Sequence, residues 1–446
     1  MADNISYHPT DALSYDPEQP VYWDPSALQT EVTRVFEVCH GCRMCFKYCD
    51  SFPNLFRWID DTHDGDVRKL TADQIGGVMD ACFQCKLCEV QCPYTPRDGH
   101  PFQLDFPKLV HRWKAQEVKA RGLGLRDRVL GDPNRLATLA RWSFGLANVM
   151  NRVGLHRWFM EKLLGIHRAK QLPEFAGTPF ERWAETTGKV SDPQAGAEVV
   201  LFPTCFVENN DPQIGRDTLE VMAANQVEVR CDKGFACCGM PAWEHGDLDT
   251  LRNNAAHNLA KLEPWVDAGA KVMVLQPSCA MVMRREYPKL VAAADRPRAE
   301  KVAAAVVDPS EHLWSLRSEA RYNTAYKSGP KGAVAYHAPC HLRAQAIGFR
   351  GRDLMRKVPG VDKIDATMEC CGHDGTYAMK VEGFEPSARI GKRAFDGMKA
   401  ADAPVWVSDC ALACLQFEQH AGVRPMHPMT FLARAHRDGG FDGGDR

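Results

Sequence analysis

Eight cysteines stand in two rows of one spacing, a pattern suited to iron–sulfide rather than to a single ion. The first row, CHGCRMCFKYC, supplies Cys39, Cys42, Cys45 and Cys49; the second, CFQCKLCEVQCP, supplies Cys82, Cys85, Cys88 and Cys92. Thiols at every third position wrap one cubane and reach three of its irons, and the fourth, farther along, points to the neighbouring cubane. The expected ligation is therefore crosswise: Cys39, Cys42, Cys45 and Cys92 around one [4Fe–4S] cluster, and Cys82, Cys85, Cys88 and Cys49 around the other. Zinc is the competing occupant of paired C-x2-C sequences, but a zinc site has no use for a third thiol at the same interval. Pro93 follows the second row directly, whereas the proline nearest the first is Pro53. His40 makes no haem attachment, because C-x-x-C-H needs His where this chain has Arg43.

Ten of the 18 cysteines remain, and they fall into an internal repeat. One copy holds Cys205, Cys231, Cys237, Cys238 and Cys279; the other holds Cys340, Cys370, Cys371, Cys410 and Cys414. VVLFPTC, CCGMP and VMVLQPSC in the first answer to VAYHAPC, CCGHD and PVWVSDC in the second, at offsets of 135, 133 and 131 residues. Three landmarks at nearly one period define a duplication. Adjacent cysteines diverge, so they suit different irons of one larger cluster, and Gly239 and Gly372 would let the backbone pass close to sulfide. His337, His341, His373 and Asp374 flank the second copy, where they either tune a cluster and relay protons or simply pack. No residue is assigned a catalytic role.

The elements that must position these thiols are of two kinds. Short β-rich runs (199–202, 227–230, 271–276) alternate with helical stretches (213–225, 248–265) in the repeat, which predicts α/β units on parallel strands with cysteines at the strand ends. The expected order is an extended arm over 1–30, a helix-rich two-cluster domain over 31–107 and a basic helical segment with linker over 108–197. A first repeat over 198–330, a second over 331–435 and a flexible tail over 436–446 follow, giving a mixed α+β and α/β chain. Within 108–170 there are 14 Lys and Arg against 4 Asp and Glu. Asp132-Pro133 reads as an N-cap with proline in the first turn, and Leu136, Leu139, Leu146, Met150 and Val153 recur on one face.

On these residues the chain resembles two families. Its cysteine rows are similar to those of bacterial-type ferredoxins. LFPTCFVENNDP (201–212), CCGMP (237–241), MRREYP (283–288), PCHLRAQAIG (339–348) and CGHDGTYAMK (371–380) resemble the CCG repeats of heterodisulfide reductase-type proteins. Iron–sulfur subunits of glycolate oxidase, lactate-utilisation and anaerobic glycerol-3-phosphate dehydrogenase systems share those repeats. The resemblance implies a carrier that takes electrons from a partner flavin dehydrogenase acting on glycerol 3-phosphate or a 2-hydroxy acid and delivers them to quinone or another acceptor. It also implies that a CCG repeat can bind a cluster, in some members a noncubane one with five thiolates. Those repeats end in C-x2-C; here the last position is Val282 in the first copy and Ala413, one residue before Cys414, in the second. Cys205, Cys237, Cys238 and Cys279 are thus expected to suffice for a four-thiolate cluster, with Cys231 an alternative fifth. Cys340, Cys370, Cys371, Cys410 and Cys414 are the second set. The rival readings are a disulfide reductase using a CCG-bound cluster and a zinc scaffold without redox chemistry.

Composition narrows the partners. A formal charge of −2 argues against nucleic acid, whose phosphates need a basic excess. No G-x-G-x-x-G at a strand–helix turn and no P-loop occur, so flavin or nicotinamide is expected on another chain. Without an apolar run of membrane-spanning length or a signal-peptide pattern, the expected location is the cytoplasm, with peripheral contact to the inner membrane face, or to quinone, through 108–170.

Overall fold

The computed structural model describes residues 5–442. The chain divides into two compact units, one running to Asp127 and including Pro241–Thr250, the other comprising Arg128–Met240 and the chain from Leu251 onward.

The first unit is helical. Asp24 caps the helix Pro25–Cys42 by accepting from the N–H groups of Ser26 and Ala27. Its apolar stripe (Leu28, Val32, Val35, Phe36) is buried. This helix starts inside the stretch expected to be an extended arm: Asp24-Pro25 is a cap with proline in the first turn, so residues 25–30 are helical. The chain before it is pinned by buried arginines. Arg34 donates to the carbonyls of Tyr7 and Phe102 at 2.8 Å, and Arg112 donates to those of Ala12 and Tyr22 at 2.9 Å. Helices Ser51–Thr62, Ala72–Asp80, Leu87–Gln91 and Phe106–Arg121 complete the unit, with Phe52 and Phe106 packed at 4.7 Å. Residues 241–250 brace the second cysteine row: Lys114 Nζ donates to the carbonyls of Cys82 (3.0 Å) and Glu244 (3.1 Å), and the Lys86 ammonium lies 5.3 Å from the Trp243 ring centroid.

The second unit holds two parallel sheets. Strands β1 (Val199–Phe202), β2 (Val229–Cys231), β3 (Lys271–Val274) and β4 (Val306–Val307) are ordered β2-β1-β3-β4. Strands β5 (Gly332–His337), β6 (Val361–Thr367) and β7 (Val405–Ser408) are ordered β6-β5-β7. The duplication is therefore topological as well: in each copy the first strand is flanked by the second and third. Their buried faces share one apolar core with Val334, Tyr336, Met273 and Leu275.

The basic segment folds as short helices, Leu125–Leu130, Pro133–Trp142, Leu146–Met150 and Gly154–Leu164. Asp132 caps the second as its sequence implies, accepting from the Arg135 N–H. Phe144 (φ 51°) and Gly145 (φ 90°) then turn left-handed and break the apolar stripe, so Leu139, Leu146 and Val153 are exposed instead of lining one long helix. At the C-terminus Phe441 packs on Phe431 at 5.0 Å; the end of the expected tail, 443–446, lies outside the described residues.

Candidate metal centres

Thiols of the two cysteine rows meet crosswise in the first unit. Cys39 and Cys42 sit on the last turn of helix Pro25–Cys42, and the chain leaves it through Arg43 at φ 55°. Cys39, Cys42, Cys45 and Cys92 line one cavity together with Cys88, closed by Phe52, Phe56, Leu104 and Phe106. Burial raises the Cys39 thiol well above its ordinary value, and the thiols of Cys45, Cys92 and Cys42 raise it further. Burial likewise pushes Cys45 up to about 12, helped by Cys92, Cys42 and Cys49. On the other side, burial raises Cys88, with Cys45, Cys85, Cys82 and Cys49 adding to the effect. Burial also carries Cys49 to about 12, with Cys85 beside it. Each group of neighbours thus includes the last cysteine of the opposite row.

Burial makes the thiols of Cys39, Cys45, Cys88 and Cys92 resist ionisation, so ligation by thiolates there requires a strong compensating charge. The backbone fits a polyanionic guest. Arg43, Gln84 and Lys86 all have left-handed φ, a conformation that turns successive N–H groups into an anion-binding concavity. The Tyr94 N–H donates to Cys92 and its hydroxyl bonds Cys42. The N–H groups of Ser51 and Phe52 face Cys49. Sequence reasoning does not single out Tyr94 or Ser51; they follow their cysteines by only two residues, which is the signal available.

In the first CCG copy the cysteines follow the strands. Cys205 comes after β1, Cys237 and Cys238 after β2, and Cys279 after β3. Their side chains converge: Cys238 Sγ lies 3.0 Å from Cys279 Sγ, and Cys237 receives hydrogen bonds from the thiols of Cys205 and Cys238. The N–H groups of Gly239 and Met240 also face Cys237. Together with the two thiols they hold it well below the usual thiol value despite its burial, while Cys205 and Cys238, as donors, are raised. Cys231 stands apart, inside β2 and the apolar core, where burial raises it to about 12 and Lys189 is the charge that bears on it. Two residues not expected at the site, Asn258 and, within the MRREYP stretch, Tyr287, hold the CCG loop. Asn258 accepts from the Ala236 N–H (2.9 Å) and donates to the carbonyls of Ala236 and Cys237. The buried Tyr287 hydroxyl donates to the Cys238 carbonyl at 2.7 Å. Tyr287→Phe leaves that carbonyl without its donor and should lower stability by about 1–3 kcal/mol, read by denaturant titration.

The second copy is chemically mixed. Cys371 and Cys410 bear on each other, and Cys410 Sγ accepts from Gln276 Nε2 at 2.9 Å, so a side chain of the first repeat reaches a cysteine of the second. Cys370 Sγ accepts from the Gly372 N–H at 3.3 Å. Cys414 donates to its own helix at the Cys410 carbonyl (3.3 Å). Cys340, His341 and Asp374 present donor atoms within 4.8 Å of one another. His337 bridges Ser408 Oγ (2.9 Å) and the Glu369 carbonyl (3.2 Å), and burial lowers it to about 4, which describes a neutral structural link. His373 is buried with neither ring nitrogen hydrogen-bonded, and burial keeps it neutral. Gly239 (φ 88°) and Gly372 (φ 77°) are also constrained by packing: a Cβ on Gly239 would lie 2.5 Å from Leu251 Cδ1, and one on Gly372 would overlap the Ser387 carbonyl.

Beside Cys410, the buried Asp409 carboxyl is raised to about 8 by burial and by Asp308, while Tyr336 donates to it at 2.6 Å. A carboxyl raised on folding stabilises fully below its ordinary value near 4 and loses that contribution as pH climbs through about 8. Melting temperature should fall between pH 5 and 8.5 in the parent and fall less in Asp409→Asn.

Two family profiles match this chain. The cysteine-rich CCG domain matches residues 199–284 and 334–418, and the 4Fe-4S dicluster domain matches 38–95. The chain is therefore a CCG-domain iron–sulfur protein, with two CCG copies and a dicluster domain. It is similar to a subunit of the anaerobic glycerol-3-phosphate dehydrogenase of Escherichia coli K12, with 27% identity over 336 residues, 75% of this chain and 83% of that one. It is also similar to a subunit of the fumarate reductase (CoM/CoB) of Methanothermobacter marburgensis, with 23% identity over 54% of this chain and 47% of that one. A lactate utilization protein of Bacillus cytotoxicus is 27% identical over 41% of this chain and 75% of its own length. Among the described residues, no helix is long and apolar enough to cross a membrane.

Proposed function

We propose that the chain is the electron-transfer subunit of a dehydrogenase complex. It accepts electrons from a partner flavoprotein that oxidises glycerol 3-phosphate or a 2-hydroxy acid, and passes them to quinone or another acceptor. The observation that carries this reading is the crosswise gathering of eight thiols into two adjoining groups, a geometry suited to relay. The similarity to a dehydrogenase subunit over three-quarters of the chain supports the choice of partner. Iron–sulfur clusters bound there supply one-electron carriers. The chain's own part is to hold thiolates in apolar surroundings, turn N–H groups toward them and exclude water. In the CCG region, Cys205, Cys237, Cys238 and Cys279 are the set for a further cluster.

Docking at a membrane surface fits residues 125–163. Trp142 and Phe144 are 75% and 98% exposed amid an excess of Lys and Arg, a combination that favours an anionic lipid interface. The chain alone should leave glycerol 3-phosphate and lactate unoxidised, yet, once reduced, it should be reoxidised by a soluble quinone. It should also float with vesicles containing anionic lipid, less so as Trp142→Ser/Phe144→Ser. Reduction of disulfides by the isolated chain would favour the reductase reading instead.

A further inference from the structure

The two CCG copies share a strand order but not a set of donor groups. At the offset of 135 residues, Cys205-Phe206 in the first copy answers to Cys340-His341 in the second. At the offset of 133, Gly239-Met240-Pro241 answers to Gly372-His373-Asp374. The first copy gathers thiols on one another and sends Phe206 into the apolar core. The second brings an imidazole and a carboxylate to the equivalent places.

These two groups converge on Cys340. The Cys340 thiol, a ring nitrogen of His341 and a carboxylate oxygen of Asp374 lie within 4.8 Å of one another. The His341 and Asp374 side chains are 5% and 2% exposed, and Nε2 of one stands 4.0 Å from Oδ1 of the other. A His–Asp pair serving only each other would close to about 3 Å. Ligands of one tetrahedral ion, at zinc bond lengths, stand ~3.3–3.6 Å apart, so seating such an ion asks for movements of about 1 Å or less. The mixture of donors selects the ion. Thiolate, imidazole and carboxylate together make a zinc set, whereas a cubane takes thiolates, and Cys340 cannot serve both. Two other thiols of this copy are engaged elsewhere: Cys410 accepts from Gln276 at 2.9 Å, and Cys414 donates to the Cys410 carbonyl at 3.3 Å. Cys340 is only partly buried, which supplies an entry path.

We propose that the second CCG copy binds one zinc ion through Cys340, His341 and Asp374, leaving a cluster of the CCG region to the first copy alone. Three protein ligands leave the fourth tetrahedral position to water. The site shares no residue with the dicluster thiols, so it stands or falls independently of the electron-transfer reading.

The test is metal analysis and zinc-edge X-ray absorption on full-length protein, produced with iron and zinc both supplied and desalted without oxygen. About one zinc per chain is expected beside the iron, with one sulfur at about 2.3 Å and the remaining ligands nitrogen or oxygen at about 2.0–2.2 Å. His341→Ala and Asp374→Asn should each lower the retained zinc at least about tenfold while iron and sulfide hold at the parent level. Should both variants fold poorly, the sulfur count at zinc in the parent protein decides alone. The proposal is overturned if the parent keeps no stoichiometric zinc, if its zinc has three or four sulfur ligands, or if folded variants keep their zinc or lose iron instead. Eight or more irons without zinc would sink this site and leave the electron carrier standing.

Discussion

Replacing Cys92 with alanine should cost the protein the cluster held by the other row. Cys92 lines the cavity of Cys39, Cys42 and Cys45, and its thiol bears directly on those of Cys39 and Cys45. Iron should fall by about four per chain in this variant. Double variants separate crosswise from row-by-row ligation. Cys39→Ala/Cys92→Ala should lose the same single cluster as either change alone, because both thiols serve one site. Cys82→Ala/Cys92→Ala should lose both clusters and about eight irons. Row-by-row ligation reverses the two outcomes. Iron and sulfide counts with EPR of the dithionite-reduced samples read the difference.

Gly372→Ala is expected to destabilise the second CCG copy strongly. The residue sits at φ 77°, and an added Cβ would overlap the Ser387 carbonyl and approach the Gly391 N–H at 3.2 Å, both on helix Val381–Ala400. The obstacle is helix backbone, which cannot swing aside as a side chain can. Overpacking of about 1–3 kcal/mol and a left-handed penalty of about 1–2 kcal/mol together predict a loss of about 3 kcal/mol or more. Gly239→Ala meets only the end of Leu251 and should cost less. Denaturant titration of both variants checks the order as well as the size.

The two sites differed in how much the sequence disclosed. The cysteine rows are legible because their spacing is short-range, and the structure gathers Cys92 of the second row with Cys39, Cys42 and Cys45 of the first. The duplication was legible for a related reason: its cysteines sit at strand ends, so the period of the motif is the period of the β2-β1-β3 and β6-β5-β7 sheets. The β-rich runs 199–202 and 271–276 need only local pattern, and the structure makes strands of Val199–Phe202 and Lys271–Val274. What stayed hidden depends on chain segments distant in sequence. Gln276 reaches Cys410 across 134 positions, and Lys170 meets Gln416 across 246. No local period marks either. The helix at Pro25 has a legible cap in Asp24-Pro25, but the Pro- and Asp-rich residues before it mask that signal. The apolar stripe over 136–153 gave a true periodicity whose single-helix interpretation failed at Phe144-Gly145, where two consecutive left-handed residues redirect the chain.

Protein purified without oxygen and analysed for iron, acid-labile sulfide and zinc tests the whole account most directly. Two clusters in the dicluster domain predict at least about eight irons and eight sulfides per chain, and roughly four more of each if the thiols around Cys237 are also ligands. Stoichiometric zinc with neither iron nor sulfide, in protein that is folded and colourless, would contradict it.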